Sequence, residues 1–168
     1  MDSSSPRFLL PDEAATAACG AALWPFLTPG MVVYLEGGLG SGKTALARAV
    51  LRAGGYSGPV KSPSYSLVEV YVFSRLYLYH FDFYRFNGPE EFLDAGLDEY
   101  FRNDSVCLVE WPDKARPYLP PPSLVVSLAP GTDSEFARIL TLSACDERGL
   151  QCLNAFLKTS TAVEHCAT

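Results

Sequence analysis

Apolar residues along the chain fall into short blocks cut by glycine and proline, and the blocks differ in period. An alanine-rich stretch from Pro11 to Leu27 has Asp12 and Glu13 in its first turn and Pro25, Pro29 and Gly30 at its end, the polarity of a helix. Met31 to Glu36 is an apolar run of strand length followed at once by four glycines in six positions, so it predicts a buried strand entering a loop. Lys43 to Ala53 is rich in helix formers and stops at Gly54-Gly55, as a helix C-terminus should. Tyr65 to Phe73 and Leu76 to Phe83, divided by Ser74-Arg75, predict an antiparallel hairpin dense in aromatics.

The second half continues the alternation. Gly88 to Leu93, with Pro89 and two acids at its head, starts a short helix, and Leu97 to Arg102 keeps helical character. Val106 to Val109 is apolar on both faces, the pattern of a central parallel strand, and it ends on Glu110-Trp111-Pro112. Four prolines between Pro117 and Pro122 demand an extended connection. Leu124 to Leu128 and Phe136 to Leu142 read as a terminal hairpin around Pro130 to Asp133, and Asp146 to Leu157 as a last helix. The chain shows no internal repeat. Residues 1–158 are expected to form a single domain and 159–168, which lack periodicity, a flexible tail.

Composition narrows the classes. With 48% hydrophobic and 19% charged residues the chain can bury a core and lacks the signature of disorder. A net charge of -6 argues against a free-standing surface that grips a polyanion, while leaving room for a local phosphate site. Five cysteines, odd in number and without a C-x-x-C pair, fit neither a disulfide framework nor a zinc knuckle. No apolar run reaches a membrane span and the N-terminus has no basic signal-peptide head, so the expected location is the cytoplasm, with no membrane partner.

The candidate chemistry lies in the glycine loop. Gly37, Gly38, Leu39, Gly40, Ser41, Gly42, Lys43 and Thr44 satisfy G-x-x-x-x-G-K-[ST] between a predicted strand and a predicted helix, the context of a P-loop. Such a loop turns successive N–H groups and a helix N-terminus toward phosphates. Lys43 adds charge at the β- and γ-phosphates and Thr44 a hydroxyl for Mg²⁺. A phosphate loop needs an acid beside it, and Glu110, at the end of a buried strand, fits that place. Lys43 is expected to be exposed when no nucleotide is bound.

His80, Asp82 and Tyr84 alternate along one strand face. Asp82 there could polarise an attacking water, and His80 or Arg85 could contact phosphate. A solvated face opposite Phe81 and Phe83 explains the pattern equally well. Ser62-Pro63-Ser64-Tyr65-Ser66 offers three serine hydroxyls and is a candidate loop for the γ-phosphate, although such segments commonly form turns for local backbone reasons.

In this order, the glycine loop, Ser62-Pro63-Ser64-Tyr65, His80-x-Asp82-x-Tyr84-Arg85 and Glu110-Trp111-Pro112 resemble the TsaE family, formerly called YjeE. The resemblance runs from about Thr28 to Pro112, with weaker matches in the N-terminal helix and around Arg138. It implies a small Mg²⁺-dependent ATPase that works with TsaD and TsaB subunits in making threonylcarbamoyladenosine at position 37 of tRNA. It further implies that Lys43 and Thr44 serve nucleotide and metal, that Glu110 is the metal-linked acid, that Asp82 lies by the γ-phosphate, and that Ser64 and Trp111 border the nucleotide. Gly38 stands where the family usually carries Asp, and Ser64 replaces the usual Thr.

The expected fold is α/β, a P-loop NTPase-like sheet, mainly parallel with antiparallel strands and with helices on both sides. The implied function is ATP hydrolysis that resets a TsaD–TsaB-like complex, with tRNA met only through that complex. A small-molecule P-loop kinase is the alternative enzyme, but no arginine-rich lid is visible. A GTP switch lacks an Asn-Lys-x-Asp segment. A non-catalytic module that docks when nucleotide is bound is the third reading.

Overall fold

The apolar runs assemble into one seven-stranded sheet in the computed structural model, which describes residues 5–159. The strands are β1 (Arg7–Leu10), β2 (Val32–Glu36), β3 (Val68–Val72), β4 (Tyr77–Asp82), β5 (Ser105–Glu110), β6 (Leu124–Pro130) and β7 (Arg138–Ala144). The helices are α1 (Glu13–Leu23), α2 (Lys43–Ala53), α3 (Glu91–Asp94) and α4 (Glu147–Thr159). Strand order is β1-β7-β6-β2-β5-β4-β3. The central pairings β6–β2, β2–β5 and β5–β4 are parallel, and the flanking ones are antiparallel.

This arrangement follows from burial. Every residue of β5 is buried, which only a strand covered on both faces can sustain. On one face Val33, Leu35, Leu78, Leu108 and Val126 pack with Leu23 of α1, Leu46 and Val50 of α2, and Phe156 of α4. Truncating Leu108, 1% exposed in that layer, to alanine would cost about 2–5 kcal/mol. Gly20 lets α1 and α2 close up, since a Cβ there would stand 2.7 Å from the Leu46 carbonyl oxygen. On the other face Tyr34, Phe81, Phe83 and Val109 pack with Phe92 of α3, Leu97, Ala115 and Leu119. Helical structure therefore covers both sides unequally: the three longer helices share one face, and α3 with short turns and coil covers the other.

The structure departs from the expected elements in several places. β1 is an added strand, unread in the sequence, that pairs antiparallel with β7. The first helix stops at Leu23 and tightens into a 3₁₀ turn over Trp24–Phe26, where Pro25 has no N–H to continue an α-helix. Tyr65 lies outside β3, because residues 63–67 close a turn in which the Leu67 N–H donates to the Pro63 carbonyl at 2.7 Å. Phe136 likewise belongs to the turn before β7. Apart from Thr159, which ends α4, the expected tail lies outside the described residues. Among the described residues no helix is long and apolar enough to cross a membrane. The described cysteines Cys19, Cys107, Cys145 and Cys152 are free.

Candidate functional site

Parallel register brings the predicted motifs to one edge of the sheet. Leu35, just before the glycine loop, pairs with Glu110, and Glu110 in turn pairs with Asp82. The C-terminal ends of β2, β5 and β4 therefore meet where α2 begins, the usual ligand position in an open α/β sheet. A cleft of about 480 Å³ lies there. Its lining includes the loop from Leu39 to Thr44, Ser62, Ser64, Asp82, Tyr84, Glu110 and Trp111.

The loop's curvature depends on glycine. Gly42, which caps α2, has φ +104°, a region closed to most side chains. Gly37 combines φ +150° with crowding, since a Cβ would come within 2.4 Å of Ser41 Oγ and 2.6 Å of the Leu128 carbonyl oxygen. The curl aims the first N–H groups of α2 into the cleft, where anions are favoured.

Lys43 differs from expectation. It is only 5% exposed, and its ammonium donates to the carbonyls of Gly37 and Gly38, both at 2.7 Å, and to Ser41 Oγ at 3.3 Å. The same nitrogen stands 4.4 Å from the Trp111 ring centre, whose other neighbour is Tyr84 at 5.1 Å. Burial pulls the Lys43 pKa below the usual lysine value, and the charges of Glu110, Asp82 and Asp113 oppose that shift. A flexible ammonium finds acceptors in the loop's own carbonyls, which is why the side chain is not exposed.

The two acids are held differently. Glu110 is 2% exposed. It accepts the Thr44 hydroxyl at 2.9 Å on Oε1 and 3.2 Å on Oε2, and lies 2.9 Å from His80 Nε2. Asp82 accepts the Ser62 hydroxyl and the Tyr84 N–H, the latter at 2.8 Å. Together these bonds place an oxygen pair, Thr44 and Glu110, at the root of α2 and a second carboxylate one strand away.

The alternating face of β4 needs two corrections. His80 and Asp82 are buried rather than solvated, as are Phe81 and Phe83 on the opposite face, while Tyr84 lies beyond the end of β4 and is exposed. His80 does not line the cleft and Arg85 is turned away from it, stacked 3.9 Å from the Tyr65 ring centre. Of this motif only Asp82 and Tyr84 reach the cleft. Ser64 does line it, as does Gly40, while Gly37 and Gly38 lie behind it as acceptors for Lys43.

Arg138, at the start of β7, carries only a weak resemblance in the sequence and no expected role, yet it braces the loop. Its Nη2 donates to the Gly40 carbonyl at 3.0 Å and its Nε to the Ser41 carbonyl at 3.2 Å. The Ser41 N–H donates within the loop to the Gly38 carbonyl at 3.2 Å, and because a peptide's C=O and the next N–H point in opposite directions across one plane, holding the Ser41 carbonyl aims the Gly42 N–H away from Arg138. Glu13 and Thr16 of α1, together with Phe136, complete that end of the cleft. No local pattern flags Arg138, since its loop partners lie 97 and 98 residues away.

Known proteins share this architecture. The family model described as threonylcarbamoyl adenosine biosynthesis protein TsaE matches residues 10–139. A relative from Haemophilus influenzae, tRNA threonylcarbamoyladenosine biosynthesis protein TsaE, is 42% identical over 126 residues, 75% of this chain and 78% of that protein. Its namesake from Bacillus subtilis is 37% identical over 142 residues, 84% of this chain and 86% of that one. The crystal structure of YdiB from Bacillus subtilis superposes with a TM-score of 0.77 at 29% identity, covering 90% of this chain and 93% of that one. The family match takes in the glycine loop, Asp82, Glu110, Trp111 and Arg138, and the chain belongs to the TsaE family.

Proposed function

We propose that this protein binds and hydrolyses ATP with Mg²⁺ in the cytoplasm, and that hydrolysis resets a TsaD–TsaB-like complex making threonylcarbamoyladenosine in tRNA. The observation that carries the reading is the Thr44 hydroxyl on the Glu110 carboxylate, 2.9 Å apart at the N-terminus of α2. Two oxygen ligands beside a phosphate-binding loop suit a hard cation that takes its remaining ligands from phosphate and water. Bound there, Mg²⁺ would neutralise charge on the β- and γ-phosphates.

The chain's own groups supply the rest. The loop N–H groups and the α2 terminus bind the phosphates. Lys43 leaves the Gly37 and Gly38 carbonyls for the phosphate oxygens, exchanging acceptors within reach of one flexible stem. Asp82, held by Ser62 and the Tyr84 N–H, presents a carboxylate that orients the attacking water. The net charge of -6 supports the reading that tRNA is met through the partner subunits.

The test is ATP hydrolysis by the purified chain, alone and with candidate TsaD and TsaB subunits, alongside modified-tRNA formation with and without it. Hydrolysis that rises with the partners, and modification that stops after one turnover without this chain, are the expected results. Multiple-turnover modification indifferent to its presence would overturn the proposal.

A further inference from the structure

His80 is a buried polar side chain at the site that the chemistry above leaves unused. It is fully buried, and its Nδ1 is the one buried side-chain nitrogen or oxygen among the described residues without a hydrogen-bond partner. Keeping such a group in an apolar layer is costly, and a leucine would avoid the cost. The contact that offsets it is the one to Glu110, 2.9 Å from Nε2. Register explains the contact: His80 pairs with Leu108 across the parallel β4–β5 ladder, so Glu110 is its diagonal neighbour on the same face.

We propose that His80 is a positioning residue for Glu110. An ionised carboxylate only accepts, so the imidazole carries its proton on Nε2 and donates to Oε1. A proton on Nδ1 would be a buried donor without an acceptor. The Thr44 hydroxyl bonds the same carboxylate, and two donors fix its rotation. Without His80 only the Thr44 hydroxyl holds Glu110, and the carboxylate can turn toward the Lys43 ammonium, on which its charge already acts. That ion pair would occupy both the metal-linked acid and the phosphate-binding cation.

The inference rests on the nucleotide reading, but its test separates the two. Glutamine carries an amide nitrogen near the position of Nε2 and asparagine near that of Nδ1, so His80→Gln keeps the donor to Glu110 and His80→Asn loses it. ADP is titrated by calorimetry with and without Mg²⁺, and each variant's folding is checked by its thermal melt. His80→Asn is expected to lose about 10-fold or more of the Mg²⁺-dependent affinity, the range found when partners of metal ligands are removed. Magnesium-free ADP binding should be retained, and His80→Gln should restore most of the loss. Folded variants with equal Mg²⁺ dependence, or Gln and Asn impaired alike, would overturn the proposal. The tautomer gives a second readout. The chain has two histidines, so nitrogen-15 NMR of His165→Gln isolates His80, and a proton on Nδ1 would equally overturn the assignment. A parent chain that binds no nucleotide would sink the ATPase reading, while the tautomer would still decide the His80–Glu110 contact.

Discussion

Asp82 and Glu110 are register partners on adjacent parallel strands, so the two carboxylates stand at the same height of the sheet yet answer to different donors. Glu110 is bonded to the hydroxyl at the root of α2, and Asp82 to the Ser62 hydroxyl and the Tyr84 N–H. Glu110→Gln and Asp82→Asn keep shape and remove charge. Asp82→Asn is expected to bind ATP and lose about 10²-fold or more in hydrolysis. Glu110→Gln should lose hydrolysis together with the Mg²⁺ dependence of nucleotide affinity. Steady-state rates and calorimetry decide it, and parental turnover in either variant would remove that residue from the chemistry.

Trp111 should report nucleotide. Its ring has the Lys43 ammonium 4.4 Å away, and a lysine drawn to phosphate leaves the ring. Trp24 instead packs on Phe73 at 4.7 Å and on Arg75 at 4.4 Å, outside the cleft lining. In Trp24→Phe the emission should change on adding ADP or ATP, and in Trp111→Phe it should not. Lys43→Ala should shift the emission before any nucleotide is added and lose most ATP affinity. An unresponsive Trp24→Phe would mean that Lys43 stays on the loop carbonyls.

How far the sequence reaches depends on the range over which each feature is decided. The glycine loop was legible because its chemistry is local: the curl at Gly42 and the start of α2 at Lys43 are contiguous. β5 was legible because four apolar residues in succession leave no polar face. The alternation of β4 separated Phe81 and Phe83 from His80 and Asp82, but it could not show that both faces are covered, since the cover comes from helices packed against the sheet. β1 has four residues, and its pairing is set by Arg138 to Thr141, far along the chain. His80 changed from a phosphate contact to a buried donor for the same reason.

Gly38 has no positive φ, and a Cβ there would meet nothing within 4 Å. Gly38→Asp should therefore fold without strain. Its stability should equal or exceed the parent's by up to about 1 kcal/mol, because replacing glycine lowers the entropy of the unfolded chain. Denaturant unfolding measures this. A loss beyond about 1 kcal/mol would show that the loop needs glycine here for its backbone.

Burial pushes the Cys19 and Cys107 thiols up to about 12 and Cys152 to about 11. Each holds its proton more tightly in the fold than in the unfolded chain. The stability this contributes is complete below the ordinary value of 9.0 and is lost as pH rises from there toward 11–12. Burial and the nearby Asp146 and Glu36 raise the Cys145 thiol as well, but it is exposed, so near pH 8 a thiol reagent should label it ahead of these three, which react only when the chain opens. Labelling followed by peptide mass spectrometry, with and without denaturant, tests it. Rapid native labelling of Cys107 would contradict the covered central strand.

Arg138 should matter for affinity more than for turnover. It touches no acid of the site, yet its two bonds to the Gly40 and Ser41 carbonyls fix the turn of the glycine loop and with it the direction of the Gly42 N–H. Hydrogen bonds from a charged donor contribute about 1.5–3 kcal/mol each when buried. Arg138 is half-buried, and water replaces part of what is lost. Arg138→Ala is therefore expected to weaken ADP binding by about tenfold, equivalent to about 1.4 kcal/mol, with a smaller fall in turnover at saturating ATP. Arg138→Lys should not recover the affinity, because a single ammonium lacks the planar fork that reaches both carbonyls while also holding the turn through Glu135 and Ala137. Calorimetry of both variants with ADP checks this. Full recovery by lysine would mean that charge near the loop suffices, and parental affinity in Arg138→Ala would mean that the glycine loop holds its shape without help from β7.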